Sequence, residues 1–85
     1  MNGEEKQEVP RETARRVLQA AAVEAFGRPA VYVRRERVMG RAAMVELSMF
    51  LMIAEYLEEQ GWIGEADADY GMFTVTSEGL DEAMR

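Results

Sequence analysis

Apolar residues recur along this chain with two rhythms, helical and alternating, and each predicts a different kind of element. Ala14, Val17, Leu18, Ala21, Ala22 and Ala25 fall at helical spacing and place one slim apolar stripe on a first helix. Pro10 suits the opening turn of that helix, where its missing N–H would have no partner anyway. Glu12 favours the same turn electrostatically, Gly27 closes the helix and Pro29 prevents its return. "AVYV", residues 30–33, is β-prone and predicts a short strand. Farther on, "WIGEA" and "YGMFTVT" predict two strands of a hairpin around "DAD". Strand alternation then sets Phe73 and Val75 on one face, with Met72, Thr74 and Thr76 on the other. "TSEGLDEAMR" begins a short last helix, capped by Thr76 or Ser77 and weakened by Gly79.

Residues 35–60 admit two readings. In one, a short helix over residues 35–43 buries Val38, Met39 and Ala43, and a second helix ends at Gly61. In the other, the strand continues to Met39, Gly40 turns, and one long helix covers residues 41–60. No helix breaker lies within 41–60, so propensity alone favours the long helix. Either way the chain is α+β. Its last helix before the hairpin can be tested on a wheel of 100° per residue. Leu47, Phe50, Ile53, Ala54 and Leu57 cluster on one side as the expected core face, against Val17, Leu18, Phe73 and Val75. The opposite side holds Ser48, Met52, Glu55 and Glu59, flanked by Met49 and Tyr56.

Length and charge sharpen this picture. Eighty-five residues suit one small domain over residues 10–85, preceded by an acidic, disordered tail over residues 1–9. The chain has neither cysteine nor histidine. Zinc, haem and blue-copper sites therefore lack their usual ligands, and Ser-His or Cys-His nucleophile pairs cannot be built. No metal or cofactor is expected. "MNGEEKQEVP" is polar and acidic, unlike a signal or transit peptide, and the apolar runs are far too short for a membrane span. The expected location is the cytoplasm. Residues 1–41 hold nine of the ten basic residues against six acidic ones, whereas residues 42–85 hold only Arg85 against ten acidic residues.

"YLEEQGWI" followed by "YGMFTVTSEGL" resembles the winged-helix family, at the point where its recognition helix ends and its wing begins. The matching positions are Leu57, Glu58, Gly61, Trp62 and Ile63, then Thr76, Glu78 and Gly79, with Met39 and Gly40 where the family often has Leu-Ala. The resemblance covers residues 30–80 and is specific mainly over residues 55–80. It implies three helices, a short strand, a hairpin wing and a short last helix. It also implies a DNA-binding regulator whose third helix enters the major groove while the wing reaches the backbone. The residues at those places are Glu55 and Glu59 on the helix and Glu65, Asp67 and Asp69 on the wing, which would repel phosphate rather than bind it.

Two sets of residues remain as candidate sites. Met49, Met52 and Tyr56 make the helix apolar almost all round, which suggests burial against a second copy or another protein. Trp62 is either an anchor of that interface or a cover for the hairpin root. Met39 and Met44 are assigned to the core. The second set, Arg34, Arg35, Arg37 and Arg41, is either a nucleic-acid or anion contact or a solvated surface that offsets the acidic half. Catalysis finds no footing. Ser48 and Ser77 lack a basic partner, Lys6 is in the tail, and Glu58 and Glu59 point about 100° apart on a helix. An EF-type loop counted from Asp67 and Asp69 to Glu78 puts Met72 where glycine is required. The expected function is non-enzymatic protein–protein interaction, foremost homodimerisation through the apolar helix. DNA binding through the arginine cluster is the alternative, and a small apolar ligand held between the methionines is a third reading.

Overall fold

The structure is a computed structural model and describes residues 9–85; of the tail expected over residues 1–9, residues 1–8, Lys6 included, lie outside the described residues. Seven elements follow in the order α1 (Arg11–Glu24), β1 (Tyr32–Arg34), α2 (Arg35–Arg41), α3 (Leu47–Glu59), β2 (Ile63–Gly64), β3 (Met72–Val75) and α4 (Ser77–Ala83). A 3-10 turn at Ala68–Tyr70 lies between β2 and β3. The α+β class expected from the hydrophobic pattern is the one observed. Val9, placed in the tail by its neighbours' polarity, is half-buried and packs on the core.

The three strands form one antiparallel sheet in the order β1-β3-β2, so the last strand in sequence is central. β3 is suited to that place because Phe73 and Val75 are buried beneath it. Its register sets Val33 against Phe73 and Ile63 against Val75, stacking four apolar side chains on the inner face. Thr74 lies on the face opposite Phe73 and Val75, as alternation requires, and is buried there. It stands in one row between Tyr32 and Gly64, and the Tyr32 hydroxyl reaches Glu65 beyond Gly64, at 3.0 Å. The Thr74 hydroxyl donates to the Gly64 carbonyl at 3.1 Å. β1 begins at Tyr32 rather than Ala30, whose left-handed φ of 65° ends the preceding turn.

The long helix over residues 41–60 does not form. Ala43 takes φ 57° instead, and Met44 N–H donates to the Met39 carbonyl, closing α2 with the six-to-one bond of a Schellman motif. Burial explains why propensity loses here. Val38 and Ala42 pack inward from α2, while Phe50, Ile53, Ala54 and Leu57 pack inward from α3. On one straight helix those two sets would point about a quarter-turn apart. The break lets each set find the core, leaving Ala42 buried and Ala43 exposed, the reverse of the sequence reading. The same closure ends α1, where Phe26 (φ 57°) takes the left-handed place and Gly27 follows it, and α3, where Gly61 takes it.

The core gathers Val17 and Leu18 of α1, Phe50, Ile53 and Leu57 of α3, and Phe73 of β3, with the two phenyl centroids 6.3 Å apart. Leu47 is a correction. It stands at the edge of the stripe in the first turn of α3 and is 45% exposed. Met39 and Met44 are half-buried against the core, as expected.

One knot joins α3, β2, β3 and α4. The Thr76 hydroxyl donates to the Gly61 carbonyl at 2.6 Å and accepts from Gly79 N–H at 3.0 Å, so it caps α4 and ties it to the end of α3. Thr76 N–H donates to the Trp62 carbonyl at 3.0 Å. A Cβ on Gly79 would lie 2.0 Å from that same carbonyl oxygen, so α4 can approach only with glycine there. Gly79 is a packing requirement, and its helical weakness is secondary. Gly79→Ala is expected to destabilise the fold by about 3 kcal/mol through overpacking, although alanine is the better helix former. Thr76→Ala should cost about 1 kcal/mol. Urea unfolding of both variants checks this, and an unchanged midpoint for Gly79→Ala would refute the close approach.

Candidate functional site

The four candidate arginines are dispersed by the fold. Arg34 is exposed at the end of β1. Arg35 opens α2 and donates from Nη1 to the Asp69 carbonyl at 2.8 Å, which holds it to the turn between β2 and β3. Arg37 and Arg41 share a single carboxylate. The Arg37 Nε meets Glu24 Oε1 at 3.0 Å and the Arg41 Nε meets Glu24 Oε2 at 2.8 Å. Arg41 first and Arg37 second hold the Glu24 carboxyl below its ordinary carboxylate range. This pair fastens α2 to α1, so half of the presumed basic cluster serves an internal contact.

The outward side of α3 is acidic. Ser48, Glu55 and Glu59 are exposed there, as the wheel requires. Glu58 turns toward the β2–β3 connection and accepts from the Tyr70 hydroxyl at 2.5 Å. That hydrogen bond, then partial burial, then the charges of Glu58, Glu55 and Glu59 push the Tyr70 phenol up to about 12. Asp67 Oδ1 accepts from Met72 N–H at 2.9 Å and so shapes the turn. α3 has no basic residue in its last turn.

Apolar side chains interrupt this acidic surface along one ridge. Met49, Met52 and Tyr56 are all half-buried, and Met49 and Tyr56 lean on the core cluster while Met52 does not belong to it. Val45, in non-helical backbone just ahead of α3, is 96% exposed. It precedes the α3 cap, Glu46, where an apolar residue commonly folds back onto the fourth helical residue. That residue is Phe50, which is fully buried, and Val45 does not reach it. Sequence reasoning missed Val45, which lies outside the helix and so off its wheel.

Trp62 sits behind this ridge and supports it. Its indole meets the Tyr56 ring edge-on at 6.2 Å, and its carbonyl belongs to the knot at the hairpin root. Tyr56 and Trp62 line a cleft of about 150 Å³ between α1, α3 and α4, together with Ala14, Leu18, Arg11 and Arg15. Ligand pockets commonly measure about 300–1,000 Å³, so this cleft is small for a drug-sized molecule. Methionine does not line it, so the ligand site expected between methionines is not the cavity observed. Comparison with family models, curated proteins and solved structures gives no match.

The Tyr70–Glu58 bond has a testable pH signature. A phenol raised in the folded state stabilises the fold fully below its unfolded value, near 10, and the contribution disappears as pH climbs to about 12. Absorbance titration at 295 nm should show one tyrosine ionising last, and Tyr70→Phe should remove that step and flatten the loss of Tm over the same window. A tyrosine spectrum unaltered at its alkaline end in Tyr70→Phe would count against the bond.

Proposed function

We propose that this chain is a non-enzymatic domain of winged-helix type whose α3 serves protein–protein contact, foremost pairing with a second copy. The winged-helix reading is supported by the order helix, strand, helix, helix, strand, strand, helix, with β1 added to the hairpin. It is also supported by Gly61, Trp62, Thr76 and Gly79, the residues that carry the resemblance, which meet in one knot. The contact reading is carried by the outward side of α3. An apolar ridge of Met49, Met52 and Tyr56 runs along it, and the exposed charges beside it are carboxylates. A helix meant for DNA would need cations at that place, because phosphate contacts supply most non-specific affinity. Arg37 and Arg41 are drawn instead toward Glu24.

Light scattering after size-exclusion chromatography, across a hundredfold concentration range at low and high salt, tests this reading. The expected result is a dimer that survives high salt. Met52→Glu should weaken it at least tenfold, about 1.4 kcal/mol, and leave the monomer folded, since Met52 is outside the core. A monomer at every concentration would refute pairing. Duplex DNA at low ionic strength is expected to bind with no measurable salt-sensitive affinity. Binding that falls steeply with salt and is lost in an Arg34→Ala, Arg35→Ala double variant would instead establish the regulator reading.

A further inference from the structure

The cleft between α1, α3 and α4 joins an apolar floor to a charged mouth. Ala14, Leu18 and Leu57 form the floor and are buried. Tyr56 and Trp62 form the walls, with ring centroids 6.2 Å apart and planes at 84°. A flat ring entering between them stacks over one and stands edge-on to the other, the two arrangements that aromatic pairs prefer. The volume of the cleft, about 150 Å³, is the size at which an apolar cavity takes up one benzene ring.

Charge at the mouth selects what that ring must carry. Arg11, Arg15 and Glu82 line the cleft, which leaves one positive charge in excess. Arg15 is committed, since it meets Glu82 at 3.5 Å, and Arg85 meets the same carboxylate at 3.5 Å. Arg11 is exposed and, among the described residues, pairs with no carboxylate. It opens α1, at the positive end of the helix dipole, and Glu12 beside it does not line the cleft. A guanidinium can take a carboxylate through two parallel hydrogen bonds. We propose that this cleft binds a small monocarboxylate bearing a single aromatic ring, such as benzoate. The ring lies between Tyr56 and Trp62, and the carboxylate meets Arg11. A second negative charge would meet Glu82, which disfavours dicarboxylates and phosphate esters. A fused pair of rings exceeds the space, and a neutral ring gains the floor but forgoes the arginine.

Trp62 is the only tryptophan of the chain, so its fluorescence reads this cleft directly. Benzoate is titrated into the full chain with excitation beyond tyrosine absorption, beside sodium chloride at matched ionic strength. A saturable change with half-saturation at about 1 mM or tighter is expected of so small a ligand. Arg11→Ala should weaken it about tenfold, and benzyl alcohol should bind the unaltered chain about tenfold more weakly than benzoate. Benzoate at about ten times its half-saturation should also raise Tm by a few degrees, an effect that Arg11→Ala reduces. A fluorescence change that never saturates overturns the proposal. So does equal binding of benzoate and benzyl alcohol, or binding unaltered by Arg11→Ala. Met52 does not line the cleft, so Met52→Glu should keep benzoate binding while it weakens pairing. Failure of either reading therefore leaves the other standing.

Discussion

Burial of Phe50, Ile53, Ala54 and Leu57 on one side of α3 is the interaction on which the remaining elements depend, because α1 and β3 both pack there. A small domain buries only about 60% of the surface its unfolded chain exposes. The described residues supply cover for one side of the central helix and little for the other. What is left over is a ridge that rests on the core at Met49 and Tyr56 and carries Met52 outside it. The surface proposed for contact is thus a by-product of how the core was filled, which is why it lies on the same helix.

Electrostatics follow the same division. Glu24 gathers Arg37 and Arg41 and fixes α2 to α1, while Arg35 is held by the turn between β2 and β3. The chain spends its basic residues on internal geometry in one half and leaves carboxylates outward in the other. Exposed ion pairs contribute little stability each, so this arrangement acts more on orientation and on the choice of partner than on folding energy.

Where hydrophobic period and side-chain chemistry agreed, the fold was readable in the residues. Helices α1 and α4, the hairpin, and the left-handed close of α3 at Gly61 all belong to that group. The break at Ala43 was not readable, since no local signal marks an alanine that turns left-handed. It is imposed by the need to aim Val38 and Phe50 at one core from two axes. Alternation set Thr74 on the right face, but its burial there, in one row with Tyr32 and Gly64, had no local signal. Of the candidate interface, Met49, Met52 and Tyr56 stand where the wheel set them. Trp62 acts as their support, and Val45 lay just outside the helix that was being read. The arginine cluster was a neighbourhood in sequence only, because its partner Glu24 comes from another element.

The first and last helices also touch. α4 packs on α1, and Gln19 donates to the Ala83 carbonyl at 3.2 Å across sixty-four positions. During synthesis, therefore, α1 waits for one of its covers until residue 83 has been made. At roughly 5–20 residues per second that interval is about 3–12 seconds. Throughout it, the side of α1 bearing Ala14 and Leu18 lacks α4, and a nascent chain of this protein would present to its surroundings a surface that the finished one keeps closed.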